Sequence, residues 1–260
     1  MAENSYIQSL FSLEDRVALV TGGSSGLGRR MAFAMARAGA AVVLAARRAD
    51  ALMDAKAEIE DAGGRAATLE ADLLAGDDAI AACAEAAAEP FGAPDILVNA
   101  AGINLREPPE KVTPESWDRT LRINLTVPFF LARALVPGMK AKGGGAIINI
   151  ASLQSFRAMA NGIAYGSSKG GVAQLTRAMA QAWSGDGITA NALVPGMFPT
   201  ELTGPLFADA ATRDRLAAAT AIGRNGELPD IDGATIFLAS RAGSYITGVL
   251  LPVDGGFLAK

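Results

Sequence analysis

Short aliphatic or β-branched runs recur along the chain at 17–20, 41–45, 66–70, 96–99, 146–150, 189–194 and 249–253. Runs this short, mostly apolar at consecutive positions, predict strands buried on both faces, as in a parallel sheet. Between them lie alanine-rich stretches with apolar residues at helical spacing, at 26–38, 49–62, 77–91, 114–142, 164–183 and 231–239. Thr113 ahead of Pro114 predicts a helix start, because the hydroxyl can cap free amides and proline needs no donor in the first turn. Gly63-Gly64 and Gly143-Gly144-Gly145 mark chain reversals. Strands and helices alternate throughout, which predicts an α/β fold: a doubly wound, seven-stranded parallel sheet with helices on both faces. No linker, repeat or charge run interrupts 1–260, so one domain is expected. The stretch 197–220, rich in Pro, Gly and Thr, is expected to be irregular. It follows the sixth strand, where loops surround the ligand crevice of such sheets, and is a candidate substrate lid.

Composition removes several classes of function. Half of the 260 residues are apolar, 19% are charged, and the formal net charge is −4, which argues against general attraction to nucleic acid. No apolar stretch approaches the roughly 20 residues needed to span a bilayer, and no signal-like leader is evident, so a cytoplasmic location is the expectation. Cys83, the single cysteine, sits among alanines and reads as helix packing. Histidine is absent, which excludes His-based triads and His metal sites. Proton chemistry must therefore fall to Tyr, Lys, Ser or carboxylates, and no metal is expected.

Two constellations carry candidate chemistry. The first strand runs into Thr21-Gly22-Gly23-Ser24-Ser25-Gly26-Leu27-Gly28 and then directly into a helix. Glycines in that context permit a tight turn and bring pyrophosphate close to the amides of a helix N-terminus. Where a dinucleotide-binding unit selecting NAD would place a carboxylate after the second strand, this chain has Arg47 and Arg48. Arg47 can pair with a 2′-phosphate, and Arg48 is the second candidate; the alternative is that both are solvated charges at a helix start. NADP(H) is thus the preferred cofactor, with NAD(H) possible. The second constellation is Tyr165 and Lys169, four residues apart on one predicted helix face, with Ser152 thirteen residues before Tyr165 at a strand end. A nearby ammonium favours phenolate, so Lys169 is expected to lower the Tyr165 pKa and fit it for general acid–base work.

These residues, with Asp72 after the third strand, Asn99-Ala100-Ala101-Gly102 after the fourth, Asn124 and Pro195-Gly196, resemble the short-chain dehydrogenase/reductase family over nearly the whole chain. The resemblance implies a Rossmann fold and hydride exchange between a nicotinamide and a secondary alcohol or ketone. It further implies that Ser152 holds the substrate oxygen, that Tyr165 exchanges the proton, and that Lys169 binds the nicotinamide ribose. Asn124, in a helix kink, would position water linking Lys169 to solvent. Asp72 and Leu73 match positions that contact adenine, Asn99 and Gly102 match positions beside the adenosine and ribose, and Ala100 lies in the same turn. Pro195, Gly196, Phe198 and Thr200 match the segment that orients the carboxamide. One departure is Ala100, which replaces the second Asn of the usual Asn-Asn-Ala-Gly and should lose a hydrogen bond that steadies the sheet. Family members commonly form homotetramers through the two long helices and the last strand.

The segments 101–106 and 150–156, the C-terminal 253–260 and the opening Leu10-Phe11-Ser12-Leu13 resemble the sugar-acid branch, which includes gluconate 5-dehydrogenases. That likeness makes a sugar acid or polyol the expected small-molecule substrate, with Arg106 binding a carboxylate and Gln154 a hydroxyl. Phe156, Met159, Met197 and Phe198 suit an apolar or 3-oxoacyl carbonyl as the alternative. A non-catalytic nucleotide sensor is the remaining reading. It would have no need to keep Ser152, Tyr165 and Lys169 together.

Overall fold

The structure, a computed structural model, describes residues 2–260, with side chains described from Tyr6 onward. The predicted strands form β1 (Val17–Thr21), β2 (Ala41–Ala46), β3 (Arg65–Glu70), β4 (Ile96–Asn99), β5 (Gly145–Ile150), β6 (Ile188–Pro195) and β7 (Leu250–Val253). They make one sheet in the order β3-β2-β1-β4-β5-β6-β7, parallel at every pairing. Successive side chains of a strand point to opposite faces, so Ala18 and Val20 enter one core and Leu19 the other. The first core lies under α2 (Gly26–Arg37), α3 (Ala49–Asp61) and α10 (Asp232–Ala239). The second lies under α4 (Asp77–Ala86), α6 (Val127–Ala141) and α7 (Ile163–Trp183). Burial on both faces explains why these strands read as nearly continuous apolar runs.

Three departures from the predicted elements have local causes. The helix expected over 77–91 stops at Ala86, and shorter turns run on toward Pro90, which lacks a donor and disfavours helical geometry in the residue before it. The helix expected over 114–142 is divided into α5 (Pro114–Leu121), a π-helical turn (Arg122–Thr126) and α6. Pro128 lies in the first turn of α6, and its ring would clash with the carbonyl of Asn124 four residues earlier, so the extra residue of a π turn relieves the contact. The third departure is helix where none was expected. These are α1 (Ala2–Phe11), α8 (Gly204–Phe207) and α9 (Ala210–Ala218), the last two within 197–220. No residue of α9 is buried, so no apolar stripe announces it, and its start is fixed instead by Asp209 accepting from the Thr212 amide at 2.8 Å.

Candidate active site

Strand order reverses between β1 and β4, and at their carboxyl ends opens a cavity of about 500 Å³. Gly22, Ser24, Ser25, Gly26, Leu27 and Gly28 line one wall, with Arg47 and Arg48 beyond β2 and Asp72 and Leu73 beyond β3. Ala100 and Gly102 follow β4, Tyr165 and Lys169 project from α7, and Thr200 comes from the 197–220 segment. The glycines are sterically required. Gly22 has φ +68°, and a Cβ on Gly28 would lie 2.4 Å from the Gly22 carbonyl oxygen. Ser25, at the N-cap of α2, does not cap that helix with its side chain. The volume, the bare glycine turn and the helix start facing the cavity fit a dinucleotide phosphate group.

Lys169 is buried, and its Nζ donates to the Ile150 carbonyl at 2.6 Å and lies 5.7 Å from the Tyr165 ring centroid. The predicted shared helix face is therefore realised, but the expected electrostatics are not. Burial pushes the Tyr165 phenol up from its ordinary value, opposed by the neighbouring Ser152 side chain and by the charge of Arg106. The same burial brings the Lys169 ammonium down to about 8. Desolvation by burial is the largest cause of both shifts. Ser152 lies two residues beyond β5 in extended geometry and accepts from the Gln154 amide at 3.1 Å, while Ser155 accepts from the Ser152 amide and donates to the Lys169 carbonyl.

Several predicted residues lie outside the cavity wall. Asn124 is buried in the π turn. Its Oδ1 accepts from the Ile103 amide at 2.9 Å, and its Nδ2 donates to the Ile103 carbonyl and to Ser168 Oγ at 3.0 Å each. Both amide protons are thus spent on protein partners. The Asn99 side chain does not reach the adenosine side, because it donates to Asn149 Oδ1 at 2.9 Å and Asn149 in turn donates to Thr176. This chain of amides ties β4 to β5 and α7 despite Ala100. Pro195 ends β6, Gly196 packs on Asp254, and the Phe198 ring is buried against Gly226, leaving Thr200 as the part of that segment at the cavity. Asp72 also holds a local turn, accepting from the Leu74 amide at 3.1 Å.

Arg106 lies beside Tyr165 in an adjoining cleft and donates from Nη2 to the Leu202 carbonyl at 3.0 Å. Gln154 presses its Oε1 toward Gly162 and Gly166, and this oxygen has no hydrogen-bond partner among the described residues. Glu201 is a site residue that local pattern does not announce. It lines the cavity from the 197–220 segment, where it accepts from Ser25 Oγ and Arg48, and no motif or periodicity marks it.

A switch-point cavity with a glycine turn at one end and a Tyr–Lys pair at the other defines a dinucleotide-dependent α/β protein. A family profile described as Enoyl-(Acyl carrier protein) reductase matches residues 22–258. The chain belongs to the short-chain dehydrogenase/reductase family. It is 40% identical over 247 residues to a gluconate 5-dehydrogenase of Gluconobacter oxydans, covering 95% of this chain and 96% of that one. Identity is 37% to a 2-dehydro-3-deoxy-D-gluconate 5-dehydrogenase of Bacillus subtilis, over 98% of this chain and 99% of the other. Among solved structures, a gluconate 5-dehydrogenase of Burkholderia cenocepacia in complex with NADP and tartrate superposes with a TM-score of 0.92 at 38% identity, covering 98% of this chain and 99% of that one.

Proposed function

We propose that this protein is an NADP(H)-preferring oxidoreductase that interconverts a secondary alcohol and a ketone on a sugar acid or polyol. The observation that carries this reading is one cavity that joins the glycine turn and Arg47 to Tyr165 and Lys169, with Arg106 alongside Tyr165. The names of the relatives, and the NADP and tartrate held by the Burkholderia protein, support the choice of sugar acid over an apolar or 3-oxoacyl carbonyl. A single domain, 1–260, would carry the activity, with 197–220 as its lid. The cytoplasm is the proposed location on compositional grounds.

When bound, the nicotinamide dinucleotide supplies or accepts the hydride. The chain's residues manage binding and the proton. Gly22 to Gly28 and the start of α2 would hold the pyrophosphate, with Asp72, Leu73, Ala100 and Gly102 walling the adenosine side and Arg47 facing the 2′-phosphate. Ser152 would hold the substrate oxygen while Tyr165 gives its phenolic proton to a ketone or takes one from an alcohol. The raised phenol pKa keeps Tyr165 Oη protonated at neutral pH, the form needed for reduction; oxidation needs phenolate and should quicken as pH rises. Lys169 would hold the ribose hydroxyls, and Asn124 would act as a positioning residue through Ile103 and Ser168. Arg106 would take the substrate carboxylate, and Gln154 a hydroxyl.

A panel of sugar acids, polyols, cyclic ketones and 3-oxoacyl thioesters, run with both cofactors and followed by nicotinamide absorbance, tests this reading. Sugar acids with NADP(H) should give the highest kcat/KM, and Tyr165→Phe should lose about 10²–10⁴ in rate. Arg106→Ala should raise KM roughly 10- to 100-fold for carboxylated substrates only, the scale of a lost charge-assisted hydrogen bond. Equal effects on carboxylated and uncarboxylated substrates would remove the sugar-acid assignment.

A further inference from the structure

The lid contributes a carboxylate to the cavity at the place where cations were expected to meet a phosphate. Glu201 accepts from Arg48 Nη2 at 3.0 Å on both carboxylate oxygens and from Ser25 Oγ at 3.1 Å on one of them. Its backbone is fixed. The Thr200 amide donates to Thr203 Oγ1 at 2.9 Å, and on the far side Arg106 holds the Leu202 carbonyl at 3.0 Å. Arg47 also lines the cavity and has no hydrogen-bond or ion-pair partner among the described residues. The site therefore holds two arginines and a serine hydroxyl, and one arginine and the hydroxyl are already taken by an anion from the protein itself.

We propose that Glu201 sets cofactor selectivity by competing with the 2′-phosphate of NADP(H) for Ser25 and Arg48. The inference rests on the NADP(H) reading above. A phosphate arriving at these donors must displace the carboxylate and then bear its repulsion, whereas a cofactor with a free 2′-hydroxyl leaves the Arg48–Glu201 pair in place. Glu201 accordingly moderates the preference for NADP(H), and Arg47 supplies the cation that no carboxylate neutralises. Because Glu201 sits on the lid, the same exchange loosens the lid on its Arg48 side while Arg106 retains the other.

The test is calorimetric binding of 2′,5′-ADP and ADP, which differ in the 2′-phosphate and need no turnover. The native protein should bind 2′,5′-ADP more tightly than ADP. Glu201→Gln should tighten 2′,5′-ADP about two- to fivefold, the scale of a half-exposed ion pair, and leave ADP unchanged. With Arg48→Gln as background, the Glu201 substitution should give no further gain. Native selectivity with unchanged or weaker 2′,5′-ADP binding in Glu201→Gln overturns the competition alone, as does a gain that persists without Arg48. Equal native affinity for the two ligands overturns the NADP(H) reading and this inference together.

Discussion

Lys169 is an ammonium held where water scarcely reaches it, with the Ile150 carbonyl as its hydrogen-bond acceptor. Its pKa falls to about 8 in the folded protein from an ordinary value of 10.5, so below pH 8 the fold carries the cost of a buried charge. The unfolded chain binds more protons between these values, so this contribution becomes less unfavourable as pH rises from about 8 to 10.5. Lys169→Met should stabilise the protein by about 1–3 kcal/mol at pH 7, the desolvation gain less the loss from an unpaired Ile150 carbonyl. The gain should shrink above pH 8 while activity is lost throughout. Denaturant titrations at pH 7 and pH 10 measure it, and a variant less stable than the parent at pH 7 would contradict the argument. The same residue shows what spacing can and cannot disclose. Tyr165 and Lys169 share a helix face as their four-residue step requires, yet the direction of the phenol shift depends on how much water each group loses.

Among the elements, the glycine turn leading into α2 does most to shape the cofactor wall. Gly28 is helical, so alanine there gains about 1 kcal/mol in helix propensity. Against this stands a Cβ placed 2.4 Å from the Gly22 carbonyl oxygen, a backbone atom that cannot rotate away. Overpacking of this kind costs about 1–3 kcal/mol and exceeds the propensity gain. Gly28→Ala should therefore lower stability modestly and weaken NADP+ binding at least about tenfold, because the turn must open where the proposed function places the pyrophosphate. Native affinity measured by calorimetry in this variant would show that the turn is not the phosphate cradle. The divided helix offers a second case. Pro128 marks a break that a periodicity count over 114–142 passes over, and the π turn it favours directs Asn124 inward to bind both polar groups of Ile103. α9 escaped notice for the opposite reason, having propensity and a cap but no buried face.

At the scale of the molecule, β7 forms one edge of the sheet with Leu250, Leu251 and Val253 only half-buried, and Tyr245 nearby in sequence is fully exposed. The homotetramer expected from the family resemblance would cover such an edge, along with the outer faces of α6 and α7. Small-angle scattering should return a mass four times that of the chain, and a monomer would refute the expected assembly. The sequence by itself determined the seven strands, their parallel pairing, the glycine turn and the Tyr165–Lys169 pair, because strand burial, turn geometry and helical spacing are properties of neighbours along the chain. Only the tertiary structure brought Glu201 to Arg48, turned Asn99 toward Asn149, withdrew Phe198 into the core and reversed the expected shift of Tyr165. Each of these depends on segments 50 to 153 residues apart or on the exclusion of water by the packed whole, and neither is encoded in local pattern.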